Sequence, residues 1–338
     1  MDDAATPPTL TTGPVARPRI TTAETRAIVG SEPAPRRRIG ASDLDVFPIA
    51  LSGNVFGWTA DSTESERVLD TYVAQGGNFI DTADSYAGGR SEIIVGNWLR
   101  ARGARDEIVV ATKVGKSADH PGLRAPVLTA AVEASLRRLR TDRIDLLYLH
   151  IDDPAVPFEE TLLAIDELVR AGKVRHFGGS HHTGDRLYEA RIASAQLGVA
   201  RMVALQNQYN LVFRREYEQG LAWVASELSL GVMPRFALAS GFLTGKYRTK
   251  ADLDASRREE VGGYLTRAGL RVLRELDAVA AEHGVPPATI ALAWLLSKPN
   301  VVAPVVSASA ADQVFDLVAA VDIALSRSQL TRLDRASD

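Results

Sequence analysis

The chain has 338 residues, 46% hydrophobic and 24% charged, the balance of a soluble globular protein with apolar material for one large core. A formal charge of −3, with no basic block beyond the short arginine run at 36–38, argues against a nucleic-acid partner. There is no cysteine, which excludes disulfides, thiolate metal sites and a cysteine nucleophile and fits a reducing compartment.

Residues 1–35 are rich in Thr, Pro and Ala, show neither a helical nor a strand period, and are expected to form a mobile extension outside the fold. They lack the apolar core of a signal peptide, and no run approaches 18 apolar residues, so the expectation is a cytoplasmic protein that does not enter a membrane. The segment 36–46 reads as a hairpin able to plug one end of a barrel. Short aliphatic runs follow at 47–51, 78–80, 108–111, 144–149, 174–178, 202–206, 231–233 and 301–306. They mostly lack polar alternation, as parallel strands buried on both faces should. Helical patterns lie between and after them, at 64–74, 92–102, 126–140, 158–171, 185–197, 217–229, 287–296 and 311–320. Alternation of this kind over 36–338 predicts an α/β fold, a single (β/α)8 TIM barrel. The competitor, an open doubly wound sheet, would want a Gly-x-Gly-x-x-Gly turn after its first strand, which Gly53-Asn54-Val55-Phe56-Gly57 does not supply. The stretch 239–263 after the seventh strand is long enough to be a lid or ligand-binding loop.

In such barrels chemistry sits at the C-terminal strand ends. Those positions carry Asp81 and Tyr86 after the second strand, Lys113 after the third and His150 after the fourth. Taken singly, Asp81 could cap a helix, Lys113 could form a structural ion pair and His150 could be a core histidine. Together on one rim they are harder to explain as packing. A free phenol titrates near 10, so Tyr86 alone is a poor acid at neutral pH. A lysine cation beside it favours the phenolate, Asp81 balances that cation, and His150, neutral or charged, can orient a substrate oxygen. The set suits proton transfer to or from a carbonyl oxygen. Phe56 and Trp58, in the loop after the first strand, are expected as walls of the substrate pocket.

Several segments carry a family resemblance: Ile80-Asp81-Thr82-Ala83-Asp84-Ser85-Tyr86, Ala111-Thr112-Lys113-Val114-Gly115, Asp145-Leu146-Leu147-Tyr148-Leu149-His150 and Gly172-Lys173-Val174-Arg175. In this order they resemble the aldo-keto reductases, nearest to a bacterial branch related to sugar-ketone reductases and potassium-channel β subunits. The resemblance implies Tyr86 as general acid, Lys113 and Asp81 tuning it, His150 placing the carbonyl, and NADPH, or NADH, giving hydride. It implies cofactor contacts from Gly53, Asn54, Ser180, His181, Gln208, Arg235, Leu238, Ser240, Ser307 and Gln313.

The departures from the family pattern gather in the cofactor site. His181 stands where the family has Asn after Ser180. Arg235 stands where an aromatic ring usually stacks on the nicotinamide. No Arg or Lys occurs between Ser307 and Gln313, where a cation often meets the 2′-phosphate. Two readings follow: a nicotinamide-dependent carbonyl reductase of a sugar or natural-product intermediate, or the same fold doing acid-base work alone, such as dehydration, isomerisation or cyclisation. In the second, Arg235 would grip a substrate carboxylate or enolate oxygen. A regulatory subunit without activity is a third reading. The adjacent pair His181-His182 has no carboxylate in sequence reach, so no metal is expected. The expected partner is a small-molecule carbonyl compound, with a homo-oligomer compatible with everything above.

Overall fold

The computed structural model describes residues 35–338. The expectation for residues 1–35 therefore lies, except at Pro35, outside the described residues. A two-stranded antiparallel hairpin, β1 (Arg37–Arg38) and β2 (Asp45–Val46), comes first. Eight parallel strands then follow in sequential order: β3 (Ala50–Ser52), β4 (Phe79–Asp81), β5 (Val109–Val114), β6 (Ile144–Leu149), β7 (Val174–Ser180), β8 (Ala204–Gln206), β9 (Gly231–Val232) and β10 (Val305–Val306). β10 pairs with β3. The circle closes through a parallel bridge between Val232 and Val301 and a hydrogen bond from Val302 N–H to Val232 C=O of 2.8 Å. This is the (β/α)8 barrel, and the doubly wound alternative is excluded by the strand order.

Two strands are shorter than their aliphatic runs suggest because proline, without an N–H, interrupts them. Pro304 splits the run at 301–306 into the closing bridge and β10, and Pro48 delays β3 to Ala50. The inner faces of the strands, among them Phe79, Ala111, Leu146, Tyr148, Ala204 and Met233, form one buried cluster with Ile39, Leu44 and Val46 of the hairpin. The hairpin thus fills the N-terminal end of the barrel. Gly40 at its tip has φ +48°, and a Cβ there would lie 2.3 Å from the Val203 carbonyl, so only glycine fits.

The outer layer comprises α1 (Ser62–Ala74), α2 (Arg90–Arg102), α3 (Ala125–Leu139), α4 (Phe158–Arg170), α5 (Gly184–Leu197), α6 (Ala222–Glu227), α7 (Ala255–Val261), α8 (Arg267–His283), α9 (Pro287–Leu296), α10 (Gln313–Val318) and α11 (Arg327–Ala336). Their apolar faces and the outward strand residues make the larger core. α8 and α11 are absent from the sequence reading, although each carries its signals. Thr266 caps α8 and left-handed Gly284 ends it, while Ser326 and Gln329 close a capping box on α11. The stretch 239–263 is not an open lid. It folds into short helical turns whose Phe242, Leu243 and Val261 are fully buried, with Phe242 stacked on Tyr264. No helix among the described residues is long and apolar enough to cross a membrane.

Candidate active site

The site begins with a strand that does not stop cleanly. After Asp81 ends β4, Thr82 N–H and Asp84 N–H continue to bond the Ala111 and Lys113 carbonyls of β5. The chain is held against β5 until it turns at Tyr86–Gly89, where Ala87, Gly88 and Gly89 all have positive φ. A buried polar network fixes this turn from behind. Ser91 Oγ donates to the Gly53 carbonyl at 2.7 Å and meets Thr82 Oγ1 at 2.8 Å; Thr112 Oγ1 donates to Glu92 at 2.6 Å. Arg138 closes it with a 2.6 Å ion pair to Glu92. A Cβ on Gly53 would stand 2.5 Å from Ser91 Oγ, so Gly53 serves this close approach.

Within that frame Lys113 is fully buried, and each of its three N–H groups has a partner. Asp81 Oδ1 accepts at 2.5 Å, the Thr82 carbonyl at 2.8 Å and the Tyr86 phenol oxygen at 3.2 Å. Burial by itself pushes the Lys113 ammonium down, but Asp81 and Tyr86 outweigh it and hold its pKa above the ordinary value. The second Asp81 oxygen accepts from Gln206 Nε2 at 2.9 Å. Because the Tyr86 oxygen receives a hydrogen bond from Lys113, its own proton is free for a partner in the pocket. The Tyr86 ring is half-buried and meets His150 edge-on, ring centroids 6.1 Å apart.

His150, immediately after β6, is buried with Nδ1 lacking a hydrogen-bond partner. Burial first, then Lys113, Lys116, His181 and Arg235, depress its pKa to about 2. Such a depressed pKa favours the neutral imidazole of the two states that the sequence left open. It can donate one hydrogen bond and carries no charge to release.

Asp84 stands apart from this relay. Its carboxylate is buried without a closed hydrogen bond, and the N–H groups of Gly115 and Ser85 help it only weakly. Burial, reinforced by Glu92, raises its pKa to about 7. His150 and His181, depressed to about 2 and about 4, stay neutral in the fold while unfolded imidazoles bind protons below about pH 6.5. The unfolded chain then holds the extra protons, so these two groups make stability fall as pH drops from 6.5 towards 4. Asp84 has the opposite sign. The folded chain keeps a proton that the unfolded carboxyl releases above about pH 3.9, so this contribution is present at low pH and lost as pH rises towards 7. In Asp84→Asn the acid-side loss should steepen by about one proton, ~1.4 kcal/mol per pH unit, in urea midpoints taken from pH 4 to 7. An unchanged slope would mean that Asp84 is ionised in the fold.

The wider rim gathers the remaining candidates unevenly. Ser180 ends β7 with a buried, unpartnered Oγ, in register with Gln206. His181 follows it at φ +62°. Its ring lies between Lys116 Nζ, 3.0 Å from Nε2, and Arg235 Nη2, 3.4 Å from Nδ1. Arg235, after β9, thus reaches over β8 towards the end of β7. Gln208 turns towards the loop, its Nε2 3.5 Å from Tyr264 Oη. Gln206, overlooked in the sequence, is the glutamine that touches the relay; it ends β8 opposite Ser180, a pairing that only the closed barrel shows. Leu238 precedes the turn at Ala239–Thr244, and Ser240 lies within it, where Ser240 and Gly241 have positive φ. Gln313 folds back to accept from Ser309 N–H at 2.9 Å, with Ser307 half-buried nearby in sequence. Asn54 is exposed.

Phe56 departs from its expected place. It is fully buried in the core under the Gly53–Ala60 loop, packed against the position a Gly53 side chain would take, and cannot line an open pocket. Trp58 is 66% exposed on the same loop and remains free to contact a ligand. His182 turns inward, bonded to the Ser180 carbonyl and stacked on Phe158. No group of three or more His, Asp or Glu side chains among the described residues is arranged to hold a metal ion.

The residues present fit a nicotinamide cofactor at its carboxamide end. Ser180 Oγ and Asn207 Oδ1 are buried without partners, a hydroxyl and an amide oxygen complementary to an amide group.

The family model described as "Aldo/keto reductase family" matches residues 49–338. A probable voltage-gated potassium channel subunit beta of Oryza sativa subsp. japonica is 31% identical, covering 85% of this chain and 91% of that protein. Norsolorinic acid reductase B of Aspergillus parasiticus is 30% identical over 88% of this chain and 82% of its own length. Aldo-keto reductase ausK of Emericella nidulans is 29% identical, with 92% and 85% covered.

Proposed function

The chain belongs to the aldo/keto reductase family, and from that premise we propose that it reduces a ketone or aldehyde with a nicotinamide cofactor, Tyr86 delivering the proton. The observation that carries this reading is the buried chain Gln206–Asp81–Lys113–Tyr86, which ends on a phenol oxygen that accepts from Lys113 and so keeps its own proton to give. A bound nicotinamide supplies the hydride. As negative charge grows on the substrate oxygen, Tyr86 gives up its proton, and Lys113 holds the phenolate left behind at 3.2 Å. Asp81 keeps Lys113 charged in a dry place. Neutral His150 donates one hydrogen bond to the same oxygen and fixes its direction. Ser180 and Asn207, buried without partners, would hold the carboxamide of the nicotinamide, and the turn at Ala239–Thr244 and Ser307 would be the residues to hold the cofactor phosphates. The substrate belongs with sugars or natural-product intermediates, and a relative named for reduction of norsolorinic acid supports the second of these.

Cofactor preference tests the phosphate end. With no cation between Ser307 and Gln313, and Gln313 turned back on Ser309, NADPH and NADH should bind within about tenfold of each other in fluorescence titrations. A preference of about a hundredfold for NADPH would place a cation from another segment on the 2′-phosphate.

One observation favours a second reading. Arg235 bridges towards His181 across the end of β8, where a nicotinamide ring would need a flat neighbour. The same relay could then act on a substrate alone, by dehydration, isomerisation or cyclisation. Turnover of the substrate by protein stripped of all nicotinamide would decide for it and against reduction.

A further inference from the structure

We propose that the helical wall of the barrel carries two complementary grooves by which copies of this chain join head to tail into a closed ring of about four. The proposal rests on the wall alone and is independent of the chemistry at the rim.

The first groove lies between α4 and α5. Glu159, Asp185, Tyr188, Glu189 and Ile192 line a shallow space of about 400 Å³ there. Leu163, one helical turn on from Glu159, is 47% exposed, Ile192 is 56% exposed, and Trp223 of the adjoining α6 is 63% exposed. Tyr188 and Trp223 sit ring to ring, with centroids 6.0 Å apart, so these apolar side chains gather in one place. Apolar surface gathered on an outer wall and rimmed by polar groups marks a contact with another molecule. Here the rim is acidic. Among the described residues, neither Glu159 nor Asp185 has a cation within ion-pair distance, whereas Glu189 is taken by Arg186.

The second groove lies between α2 and α3, with the signs reversed. Ile93, 40% exposed, stands there among Arg137, Arg138 and Arg140. Arg138 is committed to the buried Glu92. Among the described residues, neither Arg137 nor Arg140 has a carboxylate within ion-pair distance, although Arg143 close by holds Asp142 and Asp106. Guanidinium groups suit the first groove twice over: they pair with its unmatched carboxylates, and they stack on exposed indole and phenol faces. Ile93 supplies an apolar side chain for its floor. The occupant that fits the first groove is therefore the second groove of another copy.

Where the grooves lie fixes the symmetry. Eight strand-helix units share the circumference, about 45° each. The two grooves are two units apart, about a quarter turn around the strand order. On a round barrel, sites so far apart do not both face one neighbour, so a two-fold dimer leaves one pair unmatched. Each copy meets two neighbours instead, and a heterologous contact that turns about 90° per step closes after four. The barrels then stand side by side, with the rim that carries Tyr86 clear of every contact.

Sedimentation equilibrium of the full chain at micromolar concentration tests this. The mass should be about four times that of the chain, and it should fall at about 1 M salt, where screening acts within about 3 Å. Arg137→Glu with Arg140→Glu makes both grooves acidic, and Glu159→Arg with Asp185→Arg makes both basic. Each double variant alone should associate about a hundredfold more weakly or worse, because like charges then face each other at every contact. Mixed in equal amounts, the two should regain the four-chain mass, since each contact again joins an acidic groove to a basic one. Urea midpoints of the variants close to that of the parent chain keep a lost contact distinct from a lost fold. Ile93→Ser, which changes no charge, should weaken the ring by about tenfold or more, the worth of burying one such side chain. A monomeric parent chain, a dimer that responds to Glu159 and Asp185 but not to Arg137 and Arg140, a mass that keeps growing with concentration, or mixed variants that stay apart would each overturn the ring.

Discussion

Tyr86→Phe should lower kcat for carbonyl reduction by about 10²–10⁴-fold, the range over which a positioned general acid acts. The substitution removes one oxygen and leaves the ring, so the edge-on contact with His150 and the shape of the pocket persist. Binding of a nicotinamide cofactor should be little changed, because Tyr86 lies on the β4 side of the rim and the unpartnered Ser180 and Asn207 lie on β7 and after β8. The loss should therefore appear in kcat with the cofactor Kd nearly constant. Near-normal turnover in the variant would reduce Tyr86 to a wall residue and pass the proton to another donor.

Lys113→Met should abolish measurable turnover and also destabilise the protein by about 3–5 kcal/mol, since it leaves Asp81 as an uncompensated buried carboxylate. Both side chains are essentially inaccessible to solvent, 1% and 0% exposed, so water cannot replace the lost partner. Asp81 would keep only its hydrogen bond from Gln206. Removing both charges, in Asp81→Asn with Lys113→Met, should recover most of the stability without restoring activity, because two uncharged groups of similar volume to the originals need no counter-charge. Urea denaturation of the two variants measures the difference. If the double variant is as unstable as the single one, the ion pair is not the source of the loss, and Lys113 matters through packing.

How far these expectations were legible in the chain differs from residue to residue. The strand run at 144–149 coincides with β6, and the helix at 287–296 with α9, because each is apolar but for one polar residue, Asp145 in the first and Thr289 in the second, and has clear ends. Asp81, Lys113 and His150 could be placed on one rim from spacing alone: parallel strands of one barrel all present their C-terminal ends on the same side. Phe56 could not be placed, since the tight Gly53–Ala60 turn folds it inward while Trp58, two residues on, stays out. A hydrophobic pattern cannot tell these two apart in a loop without a period.

The amino-acid sequence by itself determined the barrel and brought Asp81, Tyr86, Lys113 and His150 to one rim, through residue type and periodicity, while the departures at His181 and Arg235 are legible only against the family resemblance. Only the tertiary structure decided which glutamine supports Asp81, that His150 is neutral, and that Lys116 and Arg235 meet at His181 without a carboxylate between them. Those facts depend on burial and on distances between residues up to 125 positions apart. A protonation state is set by the water a side chain loses and by the charges that surround it, and both exist only once the strands have closed into a ring.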